Sequence, residues 1–347
     1  MERPEDIRGD LPSLPHLEDQ VSLAFLAKKS REALVDLRRR TRASPLVKSQ
    51  ALSRLTGAEV LLKCDQMLPT GAFKFRGAFN KLTSLQEAQR KMGVMTASTG
   101  NHGLAVATVA AELGISATIH ASEQASRAKL DAIRALGAEI VLHAADPLTI
   151  ELEARRISEC TGQVFVSPYN DLDVIAGQGT CGLEIIDEAP IDAVVLSVGG
   201  GGLLCGVGAA LRTECPNAEL MAVWPENAPS LFHSMKAGRA VEVEEFPTIA
   251  DATAGGVEPG SVTISLASKI APNTSLVSEQ GIAAAMVLLA REERLIVEGS
   301  AALAVAGLMS RGQSLAGKTV AVILCGRNIS YEKFEQAFLA DKGSIIC

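Results

Sequence analysis

The segment Gly93-Val-Met-Thr-Ala-Ser-Thr-Gly-Asn-His-Gly-Leu-Ala-Val-Ala-Thr-Val-Ala-Ala-Glu-Leu-Gly114 decides the fold class. Val94–Ala97 predicts a short buried strand. Asn101–Leu113 predicts a helix that Gly114 closes, because glycine tolerates the left-handed conformation past a helix end. The unit then recurs as strand Ser116–His120, helix Ser126–Leu136 closed by Gly137, strand Ile140–His143, helix 147–161 and strand Val164–Ser167. Short apolar strands alternating with helices predict a parallel sheet in an α/β fold. A second alternating block runs through Val194–Val198, Leu220–Trp224 and Thr319–Leu324, with helices expected at 279–293 and 299–310. Upstream, Ser22–Arg40 predicts a helix broken before Pro45, and Glu59–Lys63 a strand. Residues 1–20 have the composition of a loose leader.

Composition narrows the class of molecule. At 347 residues the chain can form two domains or one large α/β unit, and 47% hydrophobic residues supply an ample core. A net charge of −7 without a basic patch argues against nucleic acid as a partner. The one dense basic run, Arg38-Arg39-Arg40 with Arg42, is expected at a solvated helix end, where cations suit the dipole. Seven cysteines, odd in number and without a Cys-x-x-Cys pair, argue against a disulfide framework or zinc site and fit a reducing cytoplasm. The first residues lack the apolar core of a signal peptide, and no apolar run reaches membrane-spanning length.

The chemistry concentrates in five stretches. In Pro69-Thr-Gly-Ala-Phe-Lys-Phe-Arg-Gly-Ala-Phe-Asn80, Lys74 lies between two phenylalanines. Apolar neighbours desolvate an ammonium and lower its pKa, which lets the amine act as nucleophile or base near neutrality. The alternative is that Phe73 and Phe75 enter the core while Lys74 reaches water. Gly199-Gly-Gly-Gly202 follows a buried strand and opens an apolar helix at Leu203. Bare backbone there can aim successive N–H groups at an anion. Glycines at 201, 206 and 208 match a dinucleotide fingerprint only loosely, leaving a nicotinamide site a distant second. Ser98-Thr-Gly-Asn-His-Gly103 forms a second anion nest at a strand-to-helix junction. The remaining stretches are Ile175-Ala-Gly-Gln-Gly-Thr180 and Cys325-Gly-Arg-Asn328.

In this order, over about 41–329, the five stretches resemble the threonine/serine dehydratase and serine racemase group of pyridoxal-phosphate enzymes, fold type II. The resemblance implies an α/β fold like the tryptophan synthase β chain: two open parallel-sheet domains with the cofactor in the cleft between them. Residues 1–85 and 171–347 would form the large cofactor-binding domain and 86–170 the small one. Lys74 would carry pyridoxal 5'-phosphate and act on the Cα proton, with Phe73 beside it. Gly199, Gly200, Gly201, Gly202 and Leu203 would hold the phosphate. The loop of Ser98, Thr99, Gly100, Asn101 and His102 would hold the substrate carboxylate. Asn101 would also contact the ring hydroxyl; His102 receives no catalytic role. Asn170 would line the cofactor's other side, and Gly255 would allow close approach to the ring. Cys325 would lie beside the pyridine nitrogen. Glu298 either sits near the pyridine or serves as a helix N-terminal carboxylate.

The resemblance further implies β-elimination of a β-hydroxy amino acid such as threonine or serine to a 2-oxo acid and ammonia, with the phosphate as a candidate proton donor to the departing hydroxyl. Alternatives are a racemase, a β-replacement enzyme, or a dehydratase for 3-hydroxyaspartate, phenylserine or a hydroxyectoine-derived substrate. A non-catalytic regulatory protein is a further reading, against which the intact lysine and glycine loop argue. Thr99, the second catalytic candidate, stands where serine racemase has the serine that protonates the opposite face of Cα; its hydroxyl could substitute, but its methyl crowds that face, so racemisation is not favoured. Trp224 and Ser230 replace the carboxylates of a divalent-metal site, so no metal is expected. Ile150 stands near an arginine of serine racemase. A homodimer is implied. The short stretch after Cys325 leaves no room for a regulatory domain, so feedback by isoleucine is not expected.

Overall fold

The computed structural model describes residues 21–98, 100–125, 127–270 and 272–340. The leader, 1–20, and Thr99 lie outside the described residues. Ser22 caps α1 (Leu23–Arg40) by accepting from the Phe25 amide. The basic run falls in its last turn, with Arg38 paired to Asp187 and Arg40 to Glu112. Strand β1 (Leu46–Ser49), α2 (Gln50–Thr56) and β2 (Glu59–Lys63) lead to α3, Lys74–Ser84. Then come α4 (Glu87–Met92) and a block of β3 (Val94–Ala97), α5 (Asn101–Leu113), β4 (Ala117–Ser122), α6 (Arg127–Ala135), β5 (Glu139–His143), α7 (Pro147–Thr161) and β6 (Val164–Phe165). The strands of this block form one parallel sheet, ordered β5-β4-β3-β6.

Helix α8 (Leu172–Glu188) returns the chain to the first sheet. There follow β7 (Ala193–Ser197), α9 (Gly202–Glu214), β8 (Glu219–Pro225), α10 (Ser230–Ala237), α11 (Val262–Ile270), β9 (Asn273–Val277), α12 (Glu279–Leu288), α13 (Gly299–Ser310), β10 (Thr319–Ile323) and α14 (Tyr331–Ala340). The six-stranded order is β1-β2-β10-β7-β8-β9; only the β1–β2 pair is antiparallel. All five β7 residues are buried, as a central parallel strand covered by helices on both faces requires. Both sheets are those of the α/β class expected.

Three local departures have physical causes. Strands β1 and β9, absent from the sequence reading, are half-exposed sheet edges without an apolar run. Strand β6 stops at Phe165 because the next carbonyl, Val166, accepts from the Thr96 hydroxyl (2.7 Å) and the His102 ring (2.9 Å). The helix expected over 279–293 ends at Leu288. A wider turn over Leu289–Glu293 follows, closed by Arg294 at φ 59°.

The stretch at 175–180 works through packing. A Cβ on Gly177 would come within 2.6 Å of the Arg76 carbonyl, and one on Gly206 within 2.5 Å of the Gly179 amide. Helix α8 therefore touches α3 and α9 backbone to backbone. This contact holds the N-terminus of α3, with Lys74, beside the second sheet's connections.

Candidate active site

The C-terminal ends of parallel strands from both sheets converge on a cavity of about 350 Å³, where open α/β sheets place ligands. Ser98 leaves β3 here, Pro168 and Tyr169 follow β6, Gly199 follows β7 and Cys325 follows β10. Asn101, His102, Gly100, Gly200, Gly201, Gly202, Leu203, Gly255 and Glu298 also line it, as do Phe73 and Lys74.

Lys74 occupies the seam between two cores. Phe75 is fully buried in the core of the four-stranded sheet, while Phe73 packs against that of the six-stranded sheet. The amine therefore opens on the cavity instead of reaching bulk water. It donates to the Pro168 carbonyl at 2.7 Å and lies 5.2 Å from the Phe73 ring centre. Burial lowers it to about 8 against the opposing pull of Glu151, Cys325 and Glu298. The preceding turn is stitched to the end of β10: the Phe73 amide donates to the Cys325 carbonyl, the Arg327 amide donates to Gly71, and Ala72 bridges Gly326.

Opposite stands the glycine turn. Gly201 has φ 95°, a left-handed conformation, and no side chain caps α9. Its first-turn amides are thus free of side-chain acceptors, and the dipole adds positive potential. A Cβ on Gly200 would lie 2.5 Å from the Tyr169 ring. The cradle exists because side chains are absent from it. Tyr169 is pinned in turn by its hydroxyl, which accepts from the Glu258 amide at 3.0 Å.

Asn101, Glu298 and Asn328 form a buried network. Asn101 Nδ2 donates to Glu298 Oε1 (2.8 Å), and Asn328 Nδ2 donates to Asn101 Oδ1 (2.7 Å). The Asn328 amide donates to Glu298 Oε2 at 3.2 Å. Glu298 precedes α13, but its side chain makes no capping bond and turns to the cavity. Burial raises its pKa, while Asn101 opposes the rise. Cys325 lies 3.5 Å from the Ser197 hydroxyl, and burial pushes its thiol well above the ordinary range, so it stays neutral. His102 is held near 3 by burial and by Lys74, so the ring is neutral and Nε2 donates to Val166. Gly255 adopts φ 127° and donates its amide to Glu245 at 2.8 Å.

Two expected site residues stand apart. Thr99 is outside the described residues. Asn170 is not among the lining residues; its Oδ1 accepts from the Val262 amide at 3.0 Å and anchors the start of α11. Of the residues at the expected metal-free stretch, Trp224 is fully buried against Phe232, and Ser230 donates to Glu245.

Sequence reasoning missed Ser197, Tyr169, Asn328 and Glu151. Asn328 sits inside a quoted stretch and was within reach, whereas Tyr169 meets the glycine turn only across the return from one sheet to the other. Glu151 lies on an amphipathic helix, and apart from Arg155 one turn on, the groups that define its surroundings, Ser167, Glu258 and Lys74, are remote in the chain.

The model for the family described as pyridoxal-phosphate dependent enzyme matches residues 37–326. The chain belongs to that family. The L-threonine ammonia-lyase of Thermotoga maritima is 39% identical over 316 residues, covering 91% of this chain and 78% of that protein. Among solved structures, the processed form of threonine deaminase isoform 2 from Solanum lycopersicum superposes with a TM-score of 0.83 at 30% identity, covering 90% of this chain and 93% of that one. Serine racemase from Dictyostelium discoideum superposes with a TM-score of 0.80 at 31% identity, covering 88% and 98%.

The residues present fit the family's cofactor. A buried amine with lowered pKa, a turn packed so closely on Tyr169, Thr253 and Leu231 that its residues have no room for a Cβ, and a neutral thiol suit an aldehyde, a phosphate and a pyridine nitrogen respectively. Gly200→Ala tests the cradle. Forcing a methyl against Tyr169 costs about 1–3 kcal/mol, or roughly 5- to 150-fold in pyridoxal-phosphate affinity. Fluorescence titration of the cofactor-free protein measures it.

Proposed function

We propose that the protein is a pyridoxal-phosphate-dependent ammonia-lyase that dehydrates a β-hydroxy amino acid such as threonine or serine to a 2-oxo acid and ammonia. The observation that carries this reading is the lowered amine of Lys74, facing a glycine cradle in a cavity whose third wall holds a neutral thiol. The threonine ammonia-lyase and deaminase relatives support it.

Bound pyridoxal phosphate supplies an electron-withdrawing ring that stabilises negative charge on Cα. In this reading the amides of Gly199–Gly202 and the start of α9 hold its phosphate, while Ser98–His102 receives the substrate carboxylate. Asn101, oriented by Glu298 and Asn328, would help to hold the ring. Lys74 takes the Cα proton, and its enclosure supplies proximity as well as basicity. Cys325 cannot protonate the ring nitrogen as a carboxylic acid would. Charge on Cα is therefore drawn away less strongly and is better placed to expel a β substituent. We further propose residues 86–170 as a small domain around the four-stranded sheet, set within a large domain of 1–85 and 171–347. The four strands, all between 94 and 165, support that division. A cytoplasmic homodimer completes the reading; the six described cysteines are all free thiols, which fits a reducing compartment.

Incubation of the purified holoenzyme with L-threonine, L-serine, 3-hydroxyaspartate and phenylserine is expected to release oxo acid and ammonia in equal amounts from at least one. Serine racemase among the structural relatives favours one second reading. Amino acid of inverted configuration without ammonia establishes that reading instead.

A further inference from the structure

Helix α7 carries a carboxyl group into the cavity that the reaction above does not use. Asp146 caps this helix by accepting from the Thr149 amide, and Pro147 opens it. The first turns then present Leu148, Ile150 and Glu151 to the cavity that holds Lys74. Glu151 is only 6% exposed.

Hydrogen bonding orients this carboxyl. The Ser167 hydroxyl accepts from the Asn170 amide at 3.0 Å and the Tyr169 amide at 3.5 Å, which uses both lone pairs, so its single proton goes to Glu151 Oε1 at 3.2 Å. Oε1 is thereby an acceptor. Among the described residues, Oε2 has no hydrogen-bond partner.

Charge counting leads to the same place. Two buried carboxylates, Glu151 and Glu258, share the neighbourhood of one guanidinium. Arg155 Nη2 pairs with Glu258 Oε1 at 2.8 Å while its plane covers the Phe165 ring at 4.6 Å. That pairing commits the guanidinium to Glu258 and leaves Glu151 buried without a salt-bridge partner among the described residues, the condition under which a carboxyl keeps its proton. The remaining groups facing Glu151 are the Tyr169 phenol, which is un-ionised, and Lys74. Burial first, and Glu258 second, raise Glu151 to about 8 against Arg155, Ser167 and Lys74. With Oε1 accepting, the proton resides on Oε2.

We propose that Glu151 is the proton donor to the departing β-hydroxyl, acting through Oε2. The inference rests on the lyase reading above and replaces the phosphate as proton source. Lys74 removes the Cα proton, and the C–H electron pair becomes the Cα=Cβ bond. The Cβ–O bond breaks with its pair on oxygen, and the Glu151 proton completes a water molecule. Lys74 is left as an ammonium and Glu151 as a carboxylate. Passage of one proton from the former to the latter restores both.

The test uses a leaving group that needs no proton. Glu151→Gln keeps the size of the side chain and the acceptor for Ser167 but removes the acid. General acids contribute about 10²–10⁴ in rate, so kcat for whichever of L-serine or L-threonine the wild type uses should fall at least about a hundredfold. KM and the cofactor absorbance should hold. Elimination of chloride from β-chloroalanine, and exchange of the Cα hydrogen with deuterated solvent, should change by less than about threefold, because neither needs the acid. Glu151→Asp should recover part of the loss. Difference infrared spectra of the cofactor-free protein should show a protonated-carboxyl band near neutrality that Glu151→Gln removes. Equal loss with hydroxyl and chloride substrates makes Glu151 structural and overturns the proposal. Undiminished dehydration, or absence of the carboxyl band, overturns it in favour of the phosphate. If the wild type eliminates neither group, the lyase reading itself falls and takes this step with it, whatever the infrared band shows.

Discussion

Lys74→Ala should abolish turnover and the visible absorbance of the bound cofactor together. The lysine's neighbours in the chain and the site do not replace it: Arg76 is turned away into a buried ion cluster, and His102 is neutral with its Nε2 committed to Val166. Losing a group that, in the function proposed above, both carries the cofactor and moves the Cα proton should remove more than the 10²–10⁴ typical of a general base alone. Absorbance spectroscopy and oxo-acid release check the two effects, and a yellow, active variant overturns the assignment. The same residue predicts two pH effects. Capture of pyridoxal phosphate by the cofactor-free wild type should rise through a midpoint near 8, not near the ordinary 10.5. Because the folded amine is lowered, the unfolded chain binds the extra proton between about 8 and 10.5. Stability of the cofactor-free protein should therefore rise with pH across that window. Lys74→Ala should flatten this rise, as denaturant titrations at successive pH values will show.

Arg76→Met should cost about 3–5 kcal/mol of stability, the range for removing one partner of a buried charge pair. Arg76 is fully buried and uses both faces of its fork. Nε and Nη2 take both oxygens of Asp65 at 2.8 and 2.7 Å, Nη2 also reaches Glu184 at 2.7 Å, and Nη1 meets Thr180 at 3.0 Å. Lys63, likewise buried, pairs with Glu184 at 2.9 Å and Glu188 at 3.1 Å. Removing the guanidinium leaves Asp65 and Glu184 facing each other with one ammonium between them. The cluster ties the end of β2, the start of α3 and the middle of α8, so the damage should reach Lys74 two residues away. A thermal or denaturant transition shifted by less than about 1 kcal/mol contradicts this account. Since Asp65 is lowered by Arg76 despite complete burial, its contribution is present above the unfolded carboxylate pKa and fades as pH falls through the folded one.

These two residues illustrate how far the sequence could be read. Both lie in Phe73-Lys-Phe-Arg76. The lysine was legible because its neighbours are apolar within one turn of chain. The arginine was not, because Asp65 lies eleven residues before it and Glu184 over a hundred after. The glycine turn at 199–202 was legible for a similar local reason: an apolar strand, four residues without side chains and an apolar helix are consecutive. Its packing partner Tyr169 was hidden, since the contact spans the return from one sheet to the other. Strands β1 and β9 escaped notice because edge strands carry no continuous apolar signal.

Local order along the chain, then, determined the alternation of strands and helices, the α/β class, the enclosed amine and the side-chain-free turn opposite it. Each depends on periodicity or on side chains a few bonds apart. Tertiary structure alone decided which parallel strand ends meet at one cavity, which carboxyl is buried there away from a guanidinium and which cation is consumed by packing. Those outcomes depend on desolvation and on charge pairing across space, and neither is written in neighbouring residues.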